Sequence, residues 1–444
     1  MNYQAELAAL AAMSNKYGSN PAYVLAGGGN TSFKSNDNLW IKGSGTALAT
    51  IKAEDFVVMD RSKLNLMWTA DYPENEAARE SAVLQDMMDA RVEGETRRPS
   101  VETLLHDLFP QKYILHVHPT LINGLTCSVE GEAAMRKLLP EAVWVDACKP
   151  GYILALECKE KMDAYKAANG KDADLLFLQN HGIFFAADTA EEVGALAEKT
   201  MATVTAAVTR FPNEEGVAVD DATAARIDAI GKKLASLYGG YCFAVANQEI
   251  LGYDPATKSL SPDHIVYAKA KQLALDSEEG LEEAFAAFEK ENGYKAKITF
   301  IKGLGMFACD STEKSAQTAA SVMYDAVKVV CYAESFGGVE KALGGNATAE
   351  VFAYILSAIT ILISVYLIGV INGFLCQILT NQHRQVAANI GRQRKLTVRE
   401  CTRSRKSCCD MAIRFTVHAL LRFCLRAVAL FDALPLFNDQ NTLF

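Results

Sequence analysis

Short apolar runs alternate with longer amphipathic stretches over the first half of the chain. Residues 6–17 and 74–91 space their apolar positions as one face of a helix does, so we predict a helix over each. Residues 40–41 and 56–59 are short apolar runs that favour strands. This alternation predicts an α/β arrangement up to about residue 210.

A polar, acidic stretch over residues 211–222 interrupts the alternation and is typical of a linker or a long surface loop. A further helix is predicted to begin near Thr223. We therefore predict a first domain over residues 1–212 and a second, smaller α/β region over residues 213–340.

The second region contains a segment that is similar in sequence to a segment of the first. The segment that begins at Gly182 and the segment that begins at Gly305 both read as a strand, an Asp-containing turn and a helix. Leu304 precedes the second copy where His181 precedes the first. A duplicated strand-helix unit would keep the packing and lack this histidine, and chance similarity is the alternative.

The last hundred residues, 341–444, differ in composition from the rest. Residues 351–380 contain no charged residue and could span a bilayer as a helix, whereas residues 384–426 are rich in arginine. Two interpretations stay open. The tail is either a membrane anchor with a basic, cytoplasmic flank or an out-of-frame or fused sequence.

The overall charge and the cysteines indicate which ligands and which cellular compartment to expect. A formal net charge of −9 argues against a nucleic-acid-binding surface, since phosphate backbones need a basic face, whereas small anionic ligands stay compatible. The 11 cysteines include no Cys-x-x-Cys pair, and no N-terminal apolar segment resembles a secretory signal. We expect a cytoplasmic protein, or a membrane-anchored one if residues 351–380 are an authentic span.

Three histidines form the pattern that carries chemistry. His116 and His118 end an apolar run, and residues two apart in a strand project to the same face while Val117 turns into the core. His181 follows a second apolar run, residues 175–178. A third imidazole from another strand end would complete a three-nitrogen site with one open position, which is how catalytic Zn²⁺ is usually held.

A helix start is predicted within residues 98–106. Ser100 can serve as the N-cap, and Glu102 then lies in the first turn, where the helix dipole stabilises acidic residues. His106 lies one turn after Glu102 and could donate to it, although a solvated or capping histidine is the alternative.

Five motifs occur in one order: Gly-Asn-Thr-Ser from Gly29, Lys-Gly-Ser-Gly-Thr from Lys42, Pro-Ser-x-Glu from Pro99, His-x-His-Pro-Thr from His116 and Asn-His-Gly from Asn180. This order resembles the class II aldolase/adducin family over roughly residues 20–210. With Ser-Pro-Asp-His from Ser261 and the stretch that ends at Gly338, the chain resembles in particular the aldolase part of rhamnulose-1-phosphate aldolase/dehydrogenase proteins.

The resemblance implies a class II aldolase-like α/β/α domain with a central, mostly antiparallel sheet, then the second α/β region and the atypical tail. It implies a zinc-dependent lyase that cleaves a ketose 1-phosphate, L-rhamnulose 1-phosphate in particular, to dihydroxyacetone phosphate and an aldehyde. Two alternatives stay open: a pentulose-phosphate epimerase at the same metal site, and a non-catalytic adducin-like interaction domain.

The same resemblance assigns roles to individual residues. His116, His118 and His181 would hold one Zn²⁺ per subunit, and Glu102 would be the catalytic carboxylate that moves the proton. Contacts to phosphate and substrate would come from the loops that contain Gly29, Asn30, Ser44, Gly45 and Ser100, with added charge from Lys42.

The chain departs from the family pattern at one of these positions. Many simpler members have two consecutive serines before the glutamate, whereas Val101 follows Ser100 here, so one hydroxyl group is lost. The resemblance further implies a homo-oligomer with sites at subunit boundaries. No NAD binding is predicted, because no strand followed by a Gly-x-x-x-Gly-x-Gly turn comes after Gly338.

Overall fold

The computed structural model describes residues 3–257 and 259–339 of the chain. The predicted tail, residues 341–444, and its hydrophobic segment 351–380 therefore lie outside the described residues. Over the two described ranges, no helix combines the length and the apolar character needed to cross a membrane.

Seven strands of the first region form one sheet. They are Asn30–Lys34 (β1), Asn38–Lys42 (β2), Phe56–Asp60 (β3), Tyr113–Val117 (β4), Val143–Val145 (β5), Leu175–Leu178 (β6) and Gly182–Ala187 (β7). Their order across the sheet is β3-β2-β1-β4-β7-β6-β5. All neighbours are antiparallel except β5 and β6, which run parallel. The predicted mixed α/β arrangement with a large, mostly antiparallel sheet is confirmed.

Hydrophobic cores cover both faces of this sheet, as the period of two along each strand requires. In β4, Leu115 and Val117 belong to one core, whereas Ile114 belongs to the other. The helices of this region are Gln4–Gly18 (α1), Arg61–Met67 (α2), Glu76–Asp89 (α3), Thr103–Leu108 (α4), Thr120–Thr126 (α5), Gly131–Leu138 (α6), Tyr152–Asn169 (α7) and Ala190–Ala207 (α8).

The predicted elements of the first region are present, with shifted ends. The helix predicted over residues 74–91 is α3, which is two residues shorter at each end. Asn75 caps its start, because the Asn75 side chain accepts from the Ala78 amide at 3.0 Å. At its other end, Arg91 leaves the helix to form a bridge with Met59 of β3.

A second, four-stranded sheet follows. Its strands are Tyr241–Val245 (β8), Leu273–Leu275 (β9), Ile298–Ile301 (β10) and Gly305–Asp310 (β11). The helices around it are Asp221–Tyr238 (α9), Gln248–Gly252 (α10), Pro262–Ala268 (α11), Leu281–Asn292 (α12) and Glu313–Ala333 (α13). The helix predicted near Thr223 is α9, and Asp220 caps it by accepting from the Thr223 amide at 2.7 Å.

The second sheet repeats four strands of the first. The order β8-β11-β10-β9 has the same sequence of directions as β4-β7-β6-β5: two antiparallel contacts and then a parallel one. Each sheet also contains a hairpin whose three-residue loop ends directly before a glycine. Leu178 pairs with Gly182 across the first loop, and Ile301 pairs with Gly305 across the second. The shared topology favours a duplicated unit over chance similarity. The boundary between residues 212 and 213 stays a prediction.

Helix α13 packs the second region against the first. It contacts α5, the helix that begins directly after the His-x-His strand, and it also contacts α11. Gly124 on α5 lies against Tyr332 on α13, and a Cβ atom at position 124 would overlap the Tyr332 Cβ. Elements of the second region therefore reach the end of β4.

Candidate metal centre

His116 lies inside the sheet and is fixed by two neighbours. Its ring stacks on Phe184 at 4.0 Å between centroids, and its Nδ1 lies 3.0 Å from the Ile183 carbonyl oxygen. A carbonyl oxygen can only accept, so Nδ1 carries the proton and Nε2 presents a lone pair. The predicted alternation is confirmed, because Val117 points into the opposite core.

His181 is placed by the tight loop between β6 and β7. Asn180 adopts the left-handed region with φ of 58°, and its side chain donates to the Leu260 carbonyl oxygen at 3.0 Å. Gly182 follows because a Cβ atom there would lie 2.5 Å from Val117 O and 2.7 Å from His118 Cδ2. The small residue thus lets the loop bring His181 beside the end of β4.

The side chains of the three predicted histidines converge. One ring nitrogen from each of His116, His118 and His181 lies within 4.8 Å of the other two. His116 Nε2 and His118 Nε2 are 3.0 Å apart. Because both Nδ1 atoms face acceptors, two lone pairs would repel at this distance unless a proton or a metal ion lies between them. Two facing nitrogens of this kind suit a cation.

Glu102 faces the same point. Its Oε1 lies 3.4 Å from His116 Nε2 and 3.5 Å from His181 Nε2. Its Oε2 accepts a hydrogen bond from the Asn30 side-chain amide. Burial raises the pKa of Glu102, but the neighbouring His116 and the other two imidazoles lower it by more, so the pKa is well below the usual range. The carboxylate is therefore ionised at neutral pH.

The imidazoles differ in their affinity for protons. Burial, followed by the positive charge of neighbouring His118, lowers the pKa of His181 to about 3, so this imidazole is neutral at pH 7. Burial also lowers the pKa of His118, but Asp263 raises it by more. A neutral imidazole is the form that binds a metal ion.

Asp263, at the start of α11, is the residue of this centre that sequence reasoning missed. Its Oδ2 accepts from His118 Nδ1 at 2.6 Å. The Ser-Pro-Asp-His motif was visible in the sequence, but a separation of 145 residues from His118 gave no signal that the two side chains meet. A hydrogen bond from a ligating histidine to a carboxylate is common at metal centres because it fixes the tautomer of the ring.

The loops predicted to hold a phosphate group lie side by side. Gly43 forms a bridge with Pro99, which joins the loop that contains Ser44 and Gly45 to the loop that contains Ser100. The Ser44 amide donates to Arg98 O at 2.9 Å, and the Ser100 amide donates to Lys42 O at 3.1 Å. An anion there would meet their hydroxyl groups rather than these two amides.

Lys42, Gly29 and Asn30 complete the predicted set. Lys42 is buried at the end of β2, and burial lowers its pKa although Glu102 and Asp263 raise it. Gly29 has φ of 77°, and a Cβ atom there would lie 2.9 Å from His116 O, so the loop runs directly beside His116. The Asn30 side chain is directed to Glu102. The roles assigned to the whole set stay predictions.

The prediction that Ser100 caps a helix is wrong. Helix α4 begins at Thr103, and Glu102 occupies the N-cap position. Ser100 lies in the preceding turn, where its hydroxyl oxygen accepts from the Glu102 amide at 3.2 Å. The Ser100 carbonyl oxygen accepts from the Thr103 amide at 3.2 Å, which closes a separate turn over residues 100–103 before the helix begins. This turn sets the direction of the Glu102 side chain.

Two other histidines lie near the centre without reaching it. His106 is fully buried, its Nδ1 contacts the Ser32 hydroxyl at 2.8 Å, and its Nε2 has no hydrogen-bond partner among the described residues, so it does not donate to Glu102. His264 is also buried, and its Nε2 lies 3.0 Å from Asp325 Oδ2 on α13.

The donor set fits a divalent metal ion. Three imidazole nitrogens and a carboxylate oxygen converge, and the Nδ1 atoms of His116 and His118 each have an acceptor that directs Nε2 inward. Nitrogen-rich sites of this type suit Zn²⁺ and several other transition metals.

Comparison with known proteins gives similarities over the same part of the chain. A family model described as Class II Aldolase and Adducin N-terminal domain matches residues 8–208. The chain is also similar to the protein named uncharacterized oxidoreductase YuxG from Bacillus subtilis (strain 168), with 30% identity over 188 residues. That match covers 40% of the chain and 26% of the relative, so the chain spans about a quarter of the relative's length.

Solved structures with similarity include the N-terminal class II aldolase domain of a conserved protein from Thermoplasma acidophilum. The identity is 26% and the TM-score 0.40, with 46% of this chain and 95% of that chain covered. For L-fuculose-1-phosphate aldolase from Thermus thermophilus the identity is 15% and the TM-score 0.30, with 46% and 94% covered.

Proposed function

We propose that the protein is a metal-dependent aldolase, because residues 8–208 match the family model of the class II aldolase and adducin N-terminal domain. The metal would be Zn²⁺ and the substrate a ketose 1-phosphate, L-rhamnulose 1-phosphate in particular. The products would be dihydroxyacetone phosphate and an aldehyde.

One observation carries this proposal: Glu102 Oε1 lies within 3.5 Å of the Nε2 atoms of two of the three converging histidines. A largely shielded carboxylate beside a metal-binding triad can exchange protons with a substrate that is held at that triad. When bound, the metal ion would stabilise the negative charge that develops on the carbonyl oxygen of the substrate.

The chain's own residues would move the protons. Retro-aldol cleavage removes a proton from the hydroxyl group whose carbon becomes the aldehyde, and it delivers a proton to the carbon of the ketone product. Glu102 is ionised in the free site and can accept the first of these protons. Asn30 holds Oε2, which leaves Oε1 free to face the substrate.

Binding of the phosphate group would use Lys42 together with the hydroxyl groups of Ser44 and Ser100. The Lys42 side chain is buried, and within residues 3–257 and 259–339 its amine has no carboxylate oxygen within 4.0 Å. A buried cation without an ion pair is stabilised by an incoming anion. The loss of a second serine at Val101 leaves Lys42 as the main source of charge in this subsite.

The test is metal content and cleavage activity on the same preparation of the full chain. Zinc is measured by mass spectrometry, and dihydroxyacetone phosphate released from L-rhamnulose 1-phosphate is measured with a coupled reductase. We expect zinc at one per chain and cleavage by the parent protein. Glu102→Gln should keep the zinc and lose about 10²- to 10⁴-fold in kcat.

Two further variants complete the design. His116→Ala should lose both zinc and activity, whereas Glu132→Gln, on an exposed position of α6, should leave both unchanged. Interconversion of pentulose 5-phosphates without release of dihydroxyacetone phosphate would replace the aldolase proposal by the epimerase one. A folded parent protein that binds no metal and cleaves nothing would support an adducin-like interaction domain.

A further inference from the structure

A closed ring of hydrogen bonds connects the candidate metal centre to the second region. His118 donates to Asp263 on α11, and the next residue, His264, donates to Asp325 on α13 at 3.0 Å. Asp325 also accepts from the hydroxyl group of Thr120, at the start of α5. Because Thr120 is two residues after His118 in the chain, the ring closes through the backbone.

Most of this ring is shielded from solvent. The side chains of His264 and Asp325 are 2% and 8% exposed, and those of His118 and Asp263 are 11% and 22% exposed. Hydrogen bonds to a carboxylate in such a low-dielectric environment are strong, and linked ones reinforce each other. The ring therefore holds α11 in a fixed position relative to the end of β4.

His118 needs an acceptor from outside the sheet for its Nδ1 atom, whereas His116 does not. His116 lies within β4, where the sheet supplies the Ile183 carbonyl oxygen as an acceptor for its Nδ1. His118 lies one residue beyond the last residue of β4, so the ladder of the sheet supplies no equivalent acceptor to its ring. Its Nδ1 is bound instead by Asp263, a residue of the second region.

The loop that contains Gly27 and Gly28 leaves room for the side chains of His118 and Asp263. A Cβ atom at Gly28 would lie 2.9 Å from Asp263 Oδ2 and 3.2 Å from His118 Nδ1. The Gly27 amide of the same loop donates to the Tyr267 hydroxyl group, which lies one turn after Asp263 on α11, at 3.1 Å. Helix α11 thus contacts both the metal ligand and the loop that precedes β1.

We propose that Asp263 is a positioning residue that fixes the tautomer and direction of His118, and that His264, Asp325 and Thr120 hold Asp263 in place. The proposal rests on the proposed metal-dependent function and extends the metal centre beyond the first region. The second region, which has Leu304 at the position equivalent to His181, then contributes to metal binding through α11.

The experiment uses the full chain with Asp263→Asn, Asp263→Ala and Asp263→Glu. Asp310→Asn is the matched control, because Asp310 also forms an ion pair in the second region, with Lys297, away from the centre. The zinc dissociation constant is measured by competition with a chromophoric chelator. We expect Asn and Ala to weaken zinc binding about 10- to 100-fold, the usual effect of removing such a partner, and Glu to restore part of it.

Nitrogen-15 NMR of the metal-free proteins gives a readout that a merely structural role would not change. The parent His118 should show a protonated Nδ1 with the shift of a nitrogen bound to a carboxylate, and Asp263→Ala should lose this signature while urea unfolding confirms a folded chain. The proposal is overturned if Asp263→Ala binds zinc within about threefold of the parent, well short of the usual effect.

The outcomes separate this inference from the proposed function. If the parent binds zinc and Asp263→Ala binds it weakly, but no sugar phosphate is cleaved, the aldolase function is wrong and the positioning role stands. If the parent binds no zinc, both are wrong.

Discussion

Leu304 occupies, in the loop between β10 and β11, the position that His181 occupies in the loop between β6 and β7. The residue before each is the middle residue of a three-residue loop and adopts the left-handed region, with φ of 58° at Asn180 and 75° at Gly303. The pairing of strands extends the correspondence. His116 pairs with Phe184, two residues after Gly182, as Ala244 pairs with Phe307, two residues after Gly305.

By the same register, Ala246 follows Val245 in the second sheet as His118 follows Val117 in the first. The equivalents of His116, His118 and His181 are therefore Ala244, Ala246 and Leu304. The second sheet keeps the hairpin and its packing and has no imidazole at these positions. The comparison separates the features of the first hairpin that both sheets share from the histidines that only the candidate metal centre has.

His181→Leu should remove metal binding without unfolding the protein. Leu304 shows that this hairpin accepts leucine, since its side chain is 7% exposed in the equivalent loop. We expect zinc affinity to fall by more than the 10- to 100-fold typical of an outer partner, because a direct ligand is lost. Chelator competition measures the affinity, and thermal unfolding of the metal-free protein checks the fold. Unchanged zinc affinity would exclude His181 from the ligand set.

Asn30→Ala should lower turnover and leave zinc bound. Asn30 donates to Glu102 Oε2, and a hydrogen bond to a charged group contributes about 1.5–3 kcal/mol. If the bond orients the base during reaction, its loss lowers kcat by roughly 10- to 100-fold. Steady-state cleavage of the sugar phosphate and zinc analysis test this. Asn169→Ala, at the exposed end of α7, is the control. Loss of zinc from Asn30→Ala would show instead that Asn30 helps to hold the metal.

Gly182→Ala and Gly305→Ala form a matched pair. The new Cβ atom would lie 2.5 Å from Val117 O in the first case and 2.6 Å from Val245 O in the second. Overpacking of this kind costs about 1–3 kcal/mol of unfolding free energy, and Gly305 carries the added strain of φ of 129°. Only the Gly182 substitution also approaches His118, at 2.7 Å from Cδ2.

We therefore expect both variants to be less stable in urea, and only Gly182→Ala to bind zinc more weakly. The Gly305 variant separates a general loss of stability from a local effect on the ligand. Equal loss of zinc affinity in the two proteins would show that the effect of Gly182→Ala is not local.

The convergence of the three histidines could be predicted from the sequence because their placement is local. The His-x-His spacing requires only the alternation of a strand, and His181 requires only a tight turn after an apolar run. Asp263 could not be predicted, because its position depends on how α11 packs against α13 and how α13 packs against α5, far away in the chain. The cap at Ser100 was wrong because residues 100–103 form a separate turn, which the helix-start signals do not distinguish from a first helical turn.

The strands could also be predicted, but their order could not. β1 pairs with β4 across more than 70 residues, through contacts such as Asn30 with His116. This pairing places the Asn30 side chain, Glu102 and the histidines together. Apolar periodicity identifies a strand and its buried face, but it carries no information on which strand lies beside it.

Lys34 of β1 is a buried cation whose charge affects stability. Its amine donates to the carbonyl oxygens of His106, at 2.5 Å, and Phe109, at the end of α4. Burial lowers the pKa of Lys34 to about 7, although Asp107 raises it, and Arg61 lowers it further. In the unfolded chain a lysine keeps its proton up to about pH 10.4. Between these two values the unfolded state binds more protons, so the free energy of unfolding rises with pH.

Lys34→Met should remove this rise. We expect the free energy of unfolding of the parent, minus that of the variant, to rise by up to about 1.4 kcal/mol per pH unit between about pH 7.5 and 9.5. Buried thiols such as Cys127, whose pKa is raised by burial to about 12, act in the opposite direction above pH 8, but both proteins share them and they cancel in the difference. Urea unfolding of the metal-free proteins at several pH values gives the slope. A difference that stays constant over this range would show that the two carbonyl acceptors keep Lys34 protonated in the folded protein.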